Sequence, residues 1–330
     1  MPTIVFSPTV KWSWMKQRPQ HLAEEFAVHG WHVYYCENRP SYDDRLTAVA
    51  PRVWVVRDKK HLVRRILPET PRPLVLWHSR ARGSRKLSKA PLDLEVYDCL
   101  DEFPRCASDE RRLVRQVDLV FASSARLADR MRRLHSRVTL VRNACAYEPF
   151  DHLAPDTTDW LPPADVCYVG AIAPWVDVRL LGELAAMRPD LRFRCVGPVL
   201  RGRRGIRFPG NVEMTGHVPH AEIPGLLART SVGIVPFRLC PTALSADPVK
   251  VYEYLAAGVP IVSTPIPEAA RWGDLVKLAS DARGFSEAID QVRGCDSPAL
   301  RETRRLAARS NTWLHRFRRI DAVILRLFRS

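Results

Sequence analysis

The sequence predicts an α/β fold built as two tandem domains with parallel sheets. Three observations carry this. At 330 residues the chain exceeds one ordinary core. Short apolar runs alternate with segments of helical periodicity from end to end. The alternation lapses once, in the proline- and acid-rich stretch "EPFDHLAPDTTDWLPPA" that begins at Glu148. The expected organisation is an N-terminal domain at 1–150, a linker at 151–163, a second domain at 164–310 and a C-terminal amphipathic basic helix at 311–330.

The elements follow in order. "TIVFSP" reads as a strand, Pro19 starts a helix through "QHLAEEFAVH" that Gly30 closes, and "HVYYCEN" is the next strand, which completes one βαβ unit. "RVWVV", "PLVLWHS", "LEVYDCL", "DLVFASS" and "RVTLVRN" are further strands. The second series runs "DVCYVGA", a helix near "VRLLGELAAM", "LRFRCVGPV", "NVEMTG", a helix near "AEIPGLLART", "SVGIVPF", a helix in "DPVKVYEYLAAG", "PIVST" and "LVKLAS". In "DPVKVYEYLAAG", Asp247 is read as the N-cap, Pro248 as the first helical residue and Gly258 as the left-handed terminator. "RGRRGIRFPG", from Arg201, is a basic loop.

Composition is that of a soluble globular protein, 46% hydrophobic and 26% charged. The charge is unusual: 51 Lys and Arg against 36 Asp and Glu give +15, which points to a polyanionic partner without choosing among nucleic acid, anionic membrane and phosphorylated substrate. Eight scattered cysteines show no metal spacing, and several sit inside apolar strands, as expected of reduced, buried thiols. With no signal-like N-terminus and no apolar run long enough to span a bilayer, a cytoplasmic location is expected.

In doubly wound sheets ligands bind beyond the carboxyl ends of the strands. That rule selects the candidates. In the first domain they are Trp12, Trp14, Gln17 and Arg18 after the first strand, His78 after "LVLW", and Asp98 and Asp101 in "YDCLD". The two tryptophans make either a sugar platform, with Gln17 and Arg18 reading hydroxyls or a phosphate, or a staple that holds the loop to the core. His78, Asp98 and Asp101 are either the acid/base groups or a structural histidine and two caps. In the second domain the candidates are Gly170, Trp175, Gly197, Val218 in "GHVPH", Lys250 and Glu253. Gly170 is either a plain strand-end turn or a place where backbone N–H groups approach a phosphate. Asp177 is read as a helix cap. Glu253 either pairs with Lys250 on the helix surface, worth roughly 0.2–0.5 kcal/mol, or has a ligand. The first loop lacks G-x-G-x-x-G, which disfavours a nicotinamide dehydrogenase.

Seven stretches, "QRPQHLAEEFAVHGWHVYY", "VYDCLDEF", "DLVFASS", "YVGAIAPWVDVRLLGELA", "VGPV", "NVEMTGHVPHAEIPGLLARTSVGIVPFR" and "DPVKVYEYLAAGVPIVSTPIPEA", stand in the order found in GT-B-fold glycosyltransferases of the family 4 type. Over nearly its whole length the chain resembles that family, and most nearly a bacterial subgroup that assembles surface polysaccharides such as teichuronic acids. The resemblance implies two Rossmann-like domains facing a cleft, with the terminal helix crossing back to the first domain. It also implies sugar transfer, with retention, from a nucleoside-diphosphate sugar to a glycan or lipid-linked acceptor.

It gives Glu253 to the donor ribose, because a carboxylate accepts from two adjacent hydroxyls. It gives Lys250 and the helix N-terminus to the diphosphate. Gly170, Trp175, Gly197 and Val218 fall on the donor side, and the first-domain loop falls on the acceptor side. No cofactor and no metal is expected, because the leaving diphosphate itself helps to deprotonate the acceptor. Two positions depart from the family pattern. Ser245 stands where a sugar-contacting Glu is common, and "NACA" at Asn143 replaces an Asn-Gly turn. They motivate an alternative, a GT-B protein that binds nucleotide or sugar without transfer. A basic nucleic-acid-binding protein is the third reading, weakened by arginines spread over both domains.

The tail from Ala299 carries nine Arg against Glu302 and Asp321. Trp313, Phe317, Ile320, Ile324 and Leu327 recur at helical spacing within it. That stripe either packs on the first domain or, with its arginine flanks, meets an anionic membrane.

Overall fold

The computed structural model describes residues 1–38, 43–82, 87–102, 106–151, 165–200, 205 and 207–329. The expected linker therefore lies, apart from Asp151, outside the described residues, as does most of the arginine-rich start of the basic loop. The chain groups into two compact units, Met1–Arg142 with Trp313–Ser330, and Asn143–Thr312. Residues 143–150, expected in the first domain, group with the second.

The first unit is built on one sheet of β1 (Thr3–Thr9), β2 (His32–Glu37), β3 (Leu46–Ala50), β4 (Val53–Val56), β5 (Leu74–His78), β6 (Leu94–Cys99), β7 (Leu119–Ala122) and β8 (Val138–Leu140), in the order β3-β4-β2-β1-β5-β6-β7-β8. Every neighbouring pair is parallel except β3 with β4. β3 was not expected from the sequence, because "LTAVA" is partly exposed and holds only one β-branched apolar residue and no aromatic. All seven residues of β1 are buried, as a strand covered on both faces requires. The order reverses at β1, so the crevice beyond β1 and β5 is where this sheet offers a ligand site.

The terminal helix, Trp313–Arg329, belongs to this unit and packs on the helix Arg18–Val28. Trp313 stacks on His21 at 4.8 Å, and Phe317 meets Phe26 at 5.2 Å and His29 at 4.2 Å. Ile320 and Ile324 are wholly buried. Four of the five stripe residues are thus consumed by packing. The basic tail is also not one helix. Pro298–Arg309 lies in the second unit, where Arg301 and Arg304 each reach Asp296 at 2.8 Å and Arg304 also donates to Gly258 O.

The second unit holds β9 (Asp165–Val169), β10 (Arg192–Val196), β11 (Val212–Gly216), β12 (Val232–Val235), β13 (Ile261–Ser263) and β14 (Val276–Leu278). They form a parallel sheet in the order β11-β10-β9-β12-β13-β14. β9 is central, and its carboxyl end is the reversal point of this sheet.

The helix Val249–Ala256 is pressed onto β9 and β12 by Tyr254. Its ring lies so close to Gly233 that a Cβ there would stand 2.6 Å from it, and its hydroxyl accepts from Val169 N at 2.9 Å and donates to Cys167 O at 3.2 Å. Gly258 ends the helix at φ 73°. The start differs from expectation. Pro248, not Asp247, is the N-cap residue, and no side chain caps the helix. Asp247 faces away, accepting from Asn143 N at 2.6 Å and from Tyr252 OH at 2.8 Å, and burial pushes its carboxyl up to about 6.

Candidate functional site

Three of the donor-side candidates, Gly170, Gly197 and Lys250, come together at the end of β9. Gly170 and Gly197 lie at φ 133° and 144°, in backbone that side chains avoid, and a Cβ on Gly197 would stand 2.3 Å from Gly170 O. Only two glycines let these strand ends approach so closely. Above them runs Lys250, whose Cε and Nζ would each be 3.1 Å from a Cβ on Gly170. Its ammonium lies 4.9 Å from the Tyr168 ring centroid and 4.8 Å from that of Phe237, and it makes no ion pair among the described residues. Burial lowers the Lys250 pKa to about 8, only partly offset by the charge of Glu253. Two aromatic faces are weak compensation for a desolvated cation, so the site favours an incoming anion.

Glu253, 6% exposed, does not take the surface ion pair with Lys250. Its Oε1 lies 2.9 Å from His220 Nε2, the proton being the imidazole's because an ionised carboxylate only accepts. Asp177 caps the helix Val178–Met187 by accepting from Leu180 N at 3.1 Å. Trp175 and Val218 are half-buried against the core of this unit, Trp175 holding Arg238 N through its carbonyl at 2.8 Å. Ser245 is wholly buried, at the end of the short helix Pro241–Ser245.

In the first unit the candidates separate. Arg18 is 3% exposed and bidentate to Asp98, which is 0% exposed, with Nε to Oδ2 and Nη2 to Oδ1 both 2.8 Å. Its Nη1 donates to Val141 O at 2.8 Å and Arg142 O at 3.1 Å. Burial raises the Asp98 carboxyl while the guanidinium pulls it back. The acceptor role expected of Arg18 and the acid/base role expected of Asp98 are therefore corrected: their functional groups are spent on each other and on the end of this unit's chain.

His78 is also corrected as an acid/base candidate, because it is wholly buried at the end of β5 with Nε2 3.4 Å from Glu95 Oε2. Gln17 precedes the helix Arg18–Val28, and its N–H is taken by Gln20 Oε1 at 3.2 Å. Trp12 is half-buried edge-on to Tyr35 at 5.1 Å, and its N–H donates to the buried Glu37 at 2.6 Å, which is the staple. Trp14 is 38% exposed. Asp101 alone of the acid/base candidates lines a cavity, and burial pushes its carboxyl up to about 7. Among the described residues no cluster of three His, Cys, Asp or Glu is placed to hold a metal ion.

The fold has parallels among solved structures. The fold matches Anabaena Alr3699/HepE, solved with UDP, at a TM-score of 0.70 and 12% identity, covering 98% of this chain and 99% of that one. It also matches the UDP-forming α,α-trehalose-phosphate synthase of Burkholderia xenovorans, solved with glucose-6-phosphate, at 0.71 and 13%, covering 99% and 100%. Over 281 residues, 74% of this chain and 70% of the relative, the sequence is 28% identical to a Bacillus subtilis (strain 168) protein assigned as the teichuronic acid biosynthesis glycosyltransferase TuaH. Residues 163–293 match the family described as glycosyl transferases group 1. The chain has the GT-B fold, and its second unit carries the likeness to the group 1 glycosyl transferases.

The matched segment, residues 163–293, contains Gly170, Gly197, Lys250 and Glu253. Sequence reasoning missed His220 as the partner of Glu253. The loop "GHVPH" had been selected by its place after a strand, but nothing in a 33-residue separation names a bond. It also missed the cavity beside Asp101, which needs three separate loops to be assembled.

Proposed function

We propose that this protein is a glycosyltransferase that moves a sugar, with retention, from a nucleoside-diphosphate sugar to a glycan or lipid-linked acceptor in bacterial cell-surface polysaccharide synthesis. One observation carries the donor half: an unpaired, desolvated ammonium stands over a two-glycine strand end, three residues before a buried carboxylate. In this reading Glu253 accepts from the ribose hydroxyls, with His220 orienting it through Oε1. Lys250 and the first turn of the uncapped helix Val249–Ala256 hold the diphosphate. As the bond from the sugar carbon to the diphosphate breaks, negative charge grows on the leaving oxygen. A cation already stripped of water stabilises that charge more than the ground state, which is the condition for catalysis. The acceptor proton passes to the leaving diphosphate, and no metal is needed.

The UDP held by the Anabaena protein supports a nucleotide donor. The work on a trehalose-6-phosphate synthase of the same fold concerns glycosyltransfer with retention, which supports that outcome here. The teichuronic acid assignment of the Bacillus relative supports a surface polymer as product. A lipid-linked acceptor would bring the enzyme to the cytoplasmic membrane face, and Arg318, Arg319 and Arg326 are exposed charges on the terminal helix that an anionic surface would attract.

The test is nucleoside-diphosphate release from a panel of donor sugars with acceptor present, and the anomeric configuration of the product. Glu253→Ala is expected to weaken donor binding and to reduce turnover at least tenfold while leaving the melting temperature within a few degrees. A variant that loses stability yet keeps donor affinity would make the carboxylate structural. A second reading, binding without transfer, draws on Ser245, whose burial leaves no carboxylate at that position for the donor sugar. It predicts nucleotide binding with no release under any acceptor.

A further inference from the structure

Beyond the carboxyl ends of β5 and β6 the first unit contains a cavity of about 630 Å³, within the size range of small-molecule sites. Among the described residues four charged ones line it, and two of these are already satisfied. Glu110 accepts from Tyr97 OH at 2.7 Å and from Arg130 Nη2 at 2.9 Å, and Arg82 is paired with Asp109. The other two are Arg80 and Asp101, which make no hydrogen bond or ion pair among the described residues. Arg80 is exposed at the rim. Asp101 is half-buried, and its acid form persists near neutrality because of burial. Tyr97 and Leu100 supply apolar wall between them.

A ligand matching this wall needs an anion for the guanidinium, a hydroxyl donor for the carboxylate, and an apolar face. A sugar ring offers hydroxyls at its edge and C–H groups on its face, and an acidic sugar adds the charge. We propose that this cavity binds a sugar bearing an anionic group, carboxylate or phosphate, with Arg80 pairing the anion and Asp101 accepting a hydrogen bond from a ring hydroxyl. The inference deepens the acceptor half of the proposed function and rests on that half alone. Arginine suits either anion because its fork of N–H donors matches both.

The experiment measures binding of methyl β-glucuronide, glucose 6-phosphate and methyl β-glucoside to the full chain by titration calorimetry. Binding of a nucleoside diphosphate is followed in the same samples by thermal shift. At least one anionic sugar is expected to bind roughly tenfold or more tighter than the neutral one, the worth of a charge-assisted bond. Arg80→Gln should erase that preference, Arg80→Lys should keep part of it, and Asp101→Ala should weaken all three sugars. Preference for the glucuronide alone or the phosphate alone supports the site and fixes the anion. Equal affinity for all three, no binding of any, or a preference untouched by Arg80→Gln overturns it. Nucleoside-diphosphate binding should survive in all three variants. Its absence from the wild type would count against the donor reading and leave the cavity's result standing.

Discussion

Lys250 and Arg18 show how two cations that look alike in the sequence differ in environment. Lys250 has a folded pKa of about 8, below its ordinary 10.5, so between these values the unfolded chain holds more protons. The sign follows: stability rises with pH across that window, and the charged lysine costs stability below it. A bound diphosphate would restore the proton. Nucleoside-diphosphate affinity is therefore predicted to fall as pH rises through about 8, whereas affinity for the bare nucleoside stays flat, as calorimetry at several pH values would show. Lys250→Ala should cut diphosphate affinity far more than nucleoside affinity and leave the protein no less stable. Equal losses for both ligands would remove the phosphate role. For Arg18 the opposite is predicted. Arg18→Ala leaves Asp98 as a lone buried carboxylate and should cost about 3–5 kcal/mol in denaturant unfolding. A stable variant with a raised acceptor KM would return Arg18 to the binding site.

At the scale of elements, the sequence exposed what depends on local grammar and hid what depends on distant partners. The strands are legible because a parallel sheet covered on both faces needs near-continuous apolar runs, and "TIVFSP" and "DVCYVGA" are such runs. β3 is not, because an antiparallel edge strand need not be buried, and "LTAVA" has small residues in place of a run of bulky β-branched ones. Asp247 before Pro248 has the form of a cap, yet the carboxylate is claimed by Asn143, 104 residues away, and by Tyr252. The same Asn143 opens "NACA", so the departure from the family turn coincides with a bond that ties that segment to the start of the Lys250 helix. The paired glycines make the sharpest element-level prediction. Gly197→Ala would place a Cβ 2.3 Å from Gly170 O in left-handed backbone, and β9 and β10 must separate to admit it. The expected cost is about 2–5 kcal/mol from overpacking and strain together, with diphosphate affinity lost alongside. Melting temperature and nucleotide titration of the same variant test both. A variant of normal stability would mean the two strand ends are not held so close in solution.

For the whole molecule, the net charge of +15 has no single seat. In the second unit, arginines of the Pro298–Arg309 helix are spent on Asp296 and on the chain around Gly258. On the terminal helix Arg316 donates to Arg142 O, while Arg318, Arg319 and Arg326 are exposed. The apolar stripe that would have entered a bilayer is occupied by Phe26, His21 and His29, and among the described large apolar side chains of that helix only Leu325 and Phe328 are exposed. No helix among the described residues is long and apolar enough to cross a membrane. Any attraction of this helix to lipid must then come from charge more than from insertion, at about 1 kcal/mol for each arginine near an anionic surface. Co-sedimentation with vesicles should therefore require anionic lipid, weaken as salt shortens the screening length, and drop when Arg318, Arg319 and Arg326 are changed together to glutamate. These side chains project away from the packed face, so the triple variant should keep its melting temperature. Binding that ignores both salt and lipid charge, or is absent at low salt with anionic vesicles, would leave the helix as a clasp on the first unit and nothing more.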